Sequence, residues 1–505
     1  MNCQYFLISA VSIPLLSIIE SASVLFIPLI ICHTHLLNAD LLACQFANAG
    51  HSVTMVLMTH FAAVRDYRPT CPNVTVKQYS ATVGRELDQQ RRAMFGRAVY
   101  SDIGDSTLLI AMLDSLRVKL CRLLLDDYTF IRHLEDARFD FAIANNYQYC
   151  TATLMQELEI PVFWYSSGNF IFEYNLDSLG IPYTASYLPT LATPYSDRMT
   201  FSQRFHNLLM VHLYRFIVYS PRSSASIERR IMGSPFPSVR EVGSRFVGFV
   251  MTGSSLVDFP RPLLPNLRYT GCLNHGQHSR DEAEIQQLSQ ALDTKFVVVA
   301  MGCMADVTYV PKAVLDTFVK TLNSLGDYQI LWHIRPDLLS NYSLKSHIKL
   351  ASWLVLRKVL AHANCQLVIS HGDLTVVLEA VNSGVPVLSV PLFADQFPNS
   401  AKLERLGLAK VLDHRSLSSA SLTEAINEML TDTRYNAKSK RFETLMSDRM
   451  PVEDRLVDII MTKIRQMQRS PEIATVKTAN LLSSFNCDII ASLLLVVLSV
   501  INYFH

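Results

Sequence analysis

Residues 365–399 constrain the fold of this chain more than any other segment. They begin with an apolar, β-rich run at residues 366–370, which leads into a turn at His371-Gly372 and then into a segment of helical composition. A second apolar run follows at residues 385–393. A buried strand, a small-residue turn and a helix N-terminus bind phosphate, because free backbone N–H groups and the helix dipole converge there. The segment therefore predicts an open α/β sheet with a ligand at the carboxyl ends of its strands.

The rest of the chain alternates in the same way between apolar strand-like runs and helix-length segments. A length of 505 residues exceeds what one hydrophobic core usually organises, so two domains are expected. A polar, proline-rich stretch at residues 258–265 separates them. Continuous apolar strands between helices are typical of parallel sheets covered on both faces. The other predicted strands are residues 25–31, 53–58, 141–144, 162–165, 296–301, 329–332 and 350–354, with helices at 36–49 and 312–325.

Charge and cysteine content exclude some classes of function. The chain has 45 basic and 44 acidic side chains, and this balance argues against a nucleic-acid partner. Its ten cysteines include no CxxC pair and no spacing typical of a metal site. Some of them can pair in an oxidising compartment, whereas Cys303 and Cys365 lie in apolar runs and are expected in the core.

The two ends of the chain have the composition of targeting segments. Residues 1–23 contain an apolar run and small residues suited to cleavage, which predicts a signal peptide, with an uncleaved anchor or a first core strand as the alternative. Residues 485–505 predict a membrane anchor, although their apolar part spans only about 24 Å as a helix, and a buried terminal helix is the alternative. Sequons at Asn73 and Asn341 agree with a lumenal body.

Several motifs, in their order and spacing, resemble the animal UDP-glycosyltransferases, the family of the UDP-glucuronosyltransferases. They are Gly50-His51, Ser186-Tyr187-Leu188-Pro189, Asp197-Arg198, residues 258–262, Trp353-Leu354, Ser370-His371-Gly372, Glu379 and Asp395-Gln396. The resemblance implies a GT-B fold, in which two Rossmann-like domains face a cleft. It places an acceptor-binding domain at residues 24–262 and a UDP-sugar-binding domain at 263–445, followed by helices and a linker at 446–480.

The resemblance also implies roles for individual residues. A histidine after the first strand, His35, would take the proton of the acceptor hydroxyl, for which an imidazole is suited near neutral pH. The position that orients this histidine corresponds to Asn145. The donor would be bound by Gly302, Cys303, Trp353, Ser370, His371, Gly372, Thr375, Glu379, Asp395 and Gln396. Trp353 as simple core packing and His35 as a structural histidine are the alternatives.

Some of these positions differ from the family pattern. The family has a carboxylate where this chain has Asn145, and a second glycine where it has Asp373. An aspartate at this point is also a good helix N-cap. The alternative hypothesis is therefore a catalytically impaired member that acts as a binding or partner protein.

The leading hypothesis is a hexosyltransferase in the endoplasmic reticulum membrane, crossing it once with most of the chain lumenal. It would move a sugar from a UDP-sugar to a hydroxyl of a small lipophilic acceptor by inverting displacement. No metal or cofactor is implied, since the UDP-sugar is a co-substrate. Tyr147, Tyr149, Phe163 and Trp164 would line the acceptor pocket or belong to the core. Self-association into a homo-oligomer stays open.

Overall fold

The computed structural model contains two α/β domains. It describes residues 21–28, 33–58, 67–79, 82–100, 123–124, 126–145, 154–155, 158–166, 183–191, 193–219, 246–263, 267–270, 293–301, 307–352, 354–448 and 453–469.

The first domain is built on a seven-stranded sheet with the order β3-β2-β1-β4-β5-β6-β7, and all of its pairings are parallel. This confirms the predicted α/β class. The elements are β1 (Ser23–Ile27), α1 (His33–Asn48), β2 (Ser52–Met58), β3 (Val74–Tyr79), α2 (Thr82–Val99), α3 (Tyr128–Asp136), β4 (Phe141–Asn145), β5 (Val162–Ser166), α4 (Phe201–Tyr219), β6 (Phe246–Met251) and β7 (Leu267–Tyr269). The central strands β1, β4 and β5 are buried almost throughout, as expected for a sheet covered on both faces.

The second domain has a six-stranded parallel sheet with the order β10-β9-β8-β11-β12-β13. Its elements are β8 (Phe296–Ala300), α5 (Lys312–Ser324), β9 (Gln329–His333), β10 (Ile348–Ala351), α6 (Leu356–Leu360), β11 (Cys365–Ser370), α7 (Leu374–Asn382), β12 (Val387–Ser389), α8 (Gln396–Leu406), β13 (Ala409–Val411), α9 (Ser419–Thr431) and α10 (Thr433–Ser447). One face of the sheet packs against α5 and α9, and the other against α6, α7 and α10. Short crossover helices between parallel strands bring the carboxyl ends of all strands to one edge.

The chain does not divide between the domains where the sequence indicated. Strand β7 pairs with β6, so the first sheet extends beyond the predicted boundary at residue 262. The chain then returns to this domain at its far end. Helix α11 (Glu453–Arg469), which falls in the segment of predicted helices and linker at 446–480, buries Leu456, Ile460 and Ile464 in the core of the first domain.

Two strands of the second domain have bounds that differ from the predicted ones. The strand predicted at 350–354 is β10, which begins at Ile348 and ends at Ala351. The strand predicted through residue 393 ends at Ser389. The physical reason is that Leu392 and Phe393 donate their backbone N–H groups to the Gln396 side-chain oxygen, at 2.9 and 3.1 Å. These N–H groups are therefore not available for pairing with a neighbouring strand.

The predicted signal segment and membrane anchor fall mainly outside the described residues. Ser23, the last residue of the predicted signal segment, is the first residue of β1. Within the described residues, no helix has both the length and the apolar character needed to cross a membrane.

The structure pairs two of the cysteines whose pairing could not be predicted from the sequence. Cys44 of α1 and Cys71 before β3 form a disulfide with their Cα atoms 5.5 Å apart. Cys365 is buried with a free thiol, as predicted, and burial raises the pKa of that thiol to about 12. Cys303 lies outside the described residues.

Candidate active site

The turn after β11 has the predicted strand–turn–helix form. Ser370 Oγ accepts a hydrogen bond from Gly372 N at 3.2 Å, and Gly372 has a φ of +85°. Asp373 is the N-cap of α7, where its Oδ1 accepts from Thr375 N at 3.0 Å. The N-cap interpretation of Asp373 is therefore confirmed, and its carboxylate occupies one of the N–H groups that would otherwise be available to a phosphate.

His371 is buried inside this turn, with only 1% of its surface exposed. Its Nδ1 atom has no hydrogen-bond partner within the described part of the chain. Burial lowers the pKa of His371, and the nearby Asp373 carboxylate opposes that shift. A buried ring nitrogen without a partner is costly, so this atom is suited to a ligand that would satisfy it.

Glu379 lies in α7, and its side chain is buried. The helix begins at Leu374, so Glu379 falls in its second turn. The role of this carboxylate in holding sugar hydroxyls stays a prediction.

Asp395 and Gln396 stand at the start of α8, past the carboxyl end of β12. Burial and, secondarily, the charge of Asp373 raise the pKa of the Asp395 carboxyl to about 6. Asn399, which the sequence analysis did not select, donates from Nδ2 to Asp395 Oδ2 and to Gly372 O, both at 3.2 Å. This amide ties the His371 turn to the Asp395 loop.

The two residues predicted for the first-domain side of the site lie at one edge of its sheet. His35 is in the first turn of α1 and is partly buried. Burial lowers its pKa, and the charge of Asp373 from the second domain raises it. Asn145 is the last residue of β4 and is fully buried. Because Ala144 pairs with Ile27 of β1, Asn145 lies just past the carboxyl end of that strand.

The domains are joined beside this site by a buried group of charges. Asp258 accepts from Lys402 Nζ at 2.9 Å, and Arg261 Nε lies 3.0 Å from its other oxygen. Tyr269 also donates to Asp258, at 2.6 Å. Two cations around one carboxylate hold the pKa of Asp258 down, at about 2, although burial alone would raise it. The group links the end of the first domain to α8 and thereby fixes the loop that carries Asp395.

A cavity of about 320 Å³ opens at the carboxyl ends of β8 and β9. Its lining is mainly apolar and includes Met301, Ile334 and Leu392 of the second domain, with Tyr100 from the first. Ligands of open α/β sheets bind at this edge. The cavity therefore provides space for an organic ligand at the same edge of the sheet as the His371 turn.

The roles of several predicted residues are either outside the reach of the structure or decided against. Trp353, Gly302, Cys303, Tyr147 and Tyr149 lie outside the described residues. Phe163 and Trp164 are buried in the core of the first domain, so of the two alternatives given for them the structure favours core packing.

The model of one protein family, described as UDP-glucoronosyl and UDP-glucosyl transferase, matches residues 22–501. The chain belongs to this family. Among its relatives, UDP-glucuronosyltransferase 2B1 of Rattus norvegicus is 23% identical over 488 residues, which cover 93% of this chain and 90% of that protein. UDP-glucuronosyltransferase 1A3 of Homo sapiens is 28% identical over 357 residues, which cover 68% of this chain and 64% of that protein.

Solved structures of glycosyltransferases share the fold. The crystal structure of the glycotransferase of kitacinnamycin has 15% sequence identity and a TM-score of 0.56, and the match covers 88% of this chain and 99% of that one. The GT-B arrangement of two parallel-sheet domains is thereby confirmed. This UDP-glycosyltransferase is similar to proteins that are named as transferases, so the alternative of a binding protein without turnover receives no support.

Proposed function

We propose that this UDP-glycosyltransferase transfers the sugar of a UDP-sugar to a hydroxyl of a small lipophilic acceptor, with His35 as the general base. The observation that carries the proposal is the phosphate-type turn at residues 370–373, which holds a buried His371 whose Nδ1 atom has no partner among the described residues, in a chain of the UDP-glucoronosyl and UDP-glucosyl transferase family. His35, in the first turn of α1, would act on the acceptor from the first domain.

The reaction follows from this placement. The acceptor hydroxyl gives its proton to the imidazole of His35, and a lone pair of the acceptor oxygen forms a bond to the anomeric carbon. The bond between that carbon and the diphosphate oxygen breaks, and its electron pair leaves with UDP. Attack from the face opposite UDP inverts the configuration of the anomeric carbon. Burial lowers the pKa of His35, so the ring is neutral and ready to accept a proton near pH 7.

The second domain would hold the donor. Backbone N–H groups at the start of α7 and the ring of His371 would face the diphosphate, which carries the charge that develops as the bond breaks. Asp395 and Glu379 would accept hydrogen bonds from sugar hydroxyls. The oxygen of Gln396 already accepts from Leu392 and Phe393, so its contribution would come from the amide nitrogen. Trp353 remains proposed to stack on uracil.

A transfer assay tests the proposal. The full chain in membranes is incubated with UDP-glucose, UDP-glucuronate and UDP-galactose and a panel of phenols and steroids, and products are identified by mass spectrometry. Replacing His35→Ala should lower kcat by about a hundredfold or more, as expected for loss of a general base. His133→Ala, an exposed histidine of α3, is the matched control and should retain activity. No product with any pair, or full activity of His35→Ala, would overturn the proposal.

We further propose that the body of the protein lies in the lumen of the endoplasmic reticulum, anchored by residues 485–505. The Cys44–Cys71 disulfide supports this, because disulfides persist in oxidising compartments. Both sequon residues, Asn73 and Asn341, are exposed and hence accessible to glycosylation. Removal of N-glycans should increase gel mobility, and Asn73→Gln with Asn341→Gln should abolish that shift. A chain of unchanged mobility would contradict the lumenal assignment.

A further inference from the structure

Helix α4 of the first domain exposes an apolar stripe that the proposed reaction does not use. Among the described residues, eight large hydrophobic side chains are exposed, and five of them belong to this one helix: Phe201, Phe205, Leu208, Leu209 and Leu213. Phe201 and Phe205 are 77% and 57% exposed. Single exposed apolar residues are common on proteins, but a contiguous group of this kind indicates a surface that binds something apolar.

The direction of the stripe follows from helix geometry and from the way α4 is held. At 3.6 residues per turn, positions 201, 205, 208, 209 and 213 fall on one side of the helix. The other side carries Asn207 and Val211, and both are buried. Asn207 accepts from Thr190 N and donates to the Leu188 carbonyl, both at 2.8 Å. Val211 lies in the core of the first domain, so the fold fixes α4 with its apolar stripe outward.

The charged groups around the stripe are basic. Arg198 just before the helix and Arg204 on one flank of the stripe are exposed, and His206 is exposed on the other flank. Helix α4 contains no aspartate or glutamate. The nearest carboxylate before it in the sequence, Asp197, is paired with Arg405 of α8. The face is therefore apolar along its middle and basic at its edges.

We propose that this face of α4 binds the surface of a phospholipid bilayer, with the stripe among the acyl chains and Arg198 and Arg204 level with anionic headgroups. An apolar face between basic side chains is typical of helices that lie in a membrane interface. Anionic headgroups supply the negative charge that complements the arginines. The inference goes beyond the proposed sugar transfer and does not depend on it.

A cavity beside the stripe supports a lipid as the occupant. It has a volume of about 430 Å³, and its mainly apolar lining combines Phe201, Phe205 and Leu208 of α4 with Tyr183 of the preceding segment. A volume of this size is typical of small-molecule sites, and the apolar lining suits an acyl chain. Arg204 also lines the cavity. A guanidinium at the side of an apolar cavity matches a molecule that has an acyl chain and a phosphate.

The course of the chain keeps this face close to a bilayer. Val211 of α4 lies in the same core as Leu456 and Ile460 of α11. Helix α11 ends at Arg469, and the proposed anchor begins at residue 485. The 16 residues between these positions span at most about 55 Å, so an anchor there holds the first domain near the membrane. A second copy of the chain, the other apolar occupant, would bring the same basic flanks together.

Photo-crosslinking of the full chain tests which partner this face contacts. Benzoylphenylalanine replaces Phe205 in protein reconstituted into vesicles of phosphatidylcholine and phosphatidylserine, and the adducts are identified by mass spectrometry after illumination. We expect lipid adducts at this position. The same probe at Tyr128, which is 78% exposed on α3 of the same domain, is the matched control and should give about tenfold fewer lipid adducts.

Two sets of variants separate the apolar from the charged contribution. Leu209→Ser with Leu213→Ser should lower the lipid adducts of the probe at position 205 about threefold or more, because less apolar area enters the bilayer. Leu445→Ser, an exposed change on α10, is the control and should leave the yield unchanged. Arg198→Gln should lower the yield in vesicles that contain phosphatidylserine and leave it unchanged in phosphatidylcholine alone. Circular dichroism checks that each variant is folded.

The outcomes are distinguishable. Absence of lipid adducts at position 205, equal yields at positions 205 and 128, or adducts with a second copy of the chain would each overturn the inference. If lipid adducts form as expected in a chain that transfers no sugar, the membrane surface is supported and the proposed function fails.

Discussion

Gly372 is the residue at which the backbone of the site is most tightly constrained. Its φ of +85° lies in the left-handed region, and a Cβ at this position would come within 2.5 Å of Ser400 Oγ and 2.9 Å of Gln396 O. Gly372→Ala should therefore lower the free energy of unfolding by about 1–3 kcal/mol. Chemical denaturation followed by circular dichroism measures this. Gly326→Ala is the control, because nothing lies within 4 Å of its Cβ position, and equal effects of the two changes would contradict the account.

Asp395 makes stability depend on pH in an unusual direction. Its pKa is about 6 in the folded protein, against about 4 for an ordinary aspartate. Between about pH 4 and pH 6 the folded protein therefore keeps this proton, whereas the unfolded chain has lost it. The stability that the protonated Asp395 side chain contributes is fully present below about pH 4 and is lost as the pH rises through about 6. Relative to wild type, Asp395→Asn should gain about 1–3 kcal/mol in free energy of unfolding between pH 4 and 6.5. Chemical denaturation of both proteins across this pH range measures the difference in free energy of unfolding. If the stabilities of the two proteins change with pH in parallel, the pKa of Asp395 is not raised.

At the same scale, sequence reasoning found the residues whose position follows from local pattern. Ser370, His371 and Gly372 are adjacent and follow an apolar strand, so their turn was predictable. Asn399 and the oxygen of Gln396 were not, because their hydrogen bonds join segments whose approach depends on tertiary packing. The Asp373 charge opposes the lowering of the pKa of His35 by burial although the two residues are more than 300 positions apart, and no spacing along the chain encodes this influence.

At the scale of secondary-structure elements, helix α11 shows what the pattern of apolar residues in the sequence could not predict. Its apolar residues at helical spacing indicate that it packs on something, but the pattern does not say which domain receives it. The structure places Leu456, Ile460 and Ile464 in the first core, although the helix follows the second domain in sequence. Short strands were missed for a similar reason, since β7 and β13 have three residues each and lack a clear period.

Leu456→Ala tests the position of this helix. The side chain is 0% exposed, and removing its methyl groups should leave a cavity in the first domain and cost about 2–5 kcal/mol in free energy of unfolding. Asp458→Ala, an exposed change on the same helix, should stay within about 0.5 kcal/mol. Equilibrium denaturation compares them. If Leu456→Ala is as stable as Asp458→Ala, α11 does not pack as described.

At the scale of the whole molecule, the alternation of strands and helices was sufficient to predict two parallel-sheet domains. It was not sufficient to predict how they are joined. Asp258, Arg261 and Lys402 form a buried group between the domains, and its members come from a loop and a helix about 140 residues apart. Removing one partner of such a group leaves a buried charge, which is why the group holds the domains in a defined relation.

The central claim is that uridine diphosphate binds at the carboxyl ends of the second sheet, beside His371. Calorimetric titration of the full chain with UDP tests it most directly, with His371→Gln and the control His133→Ala measured alongside. We predict saturable binding at a single site, weakened about tenfold by His371→Gln and unchanged by His133→Ala. Absence of binding at millimolar UDP, or equal affinity of all three proteins, would contradict it.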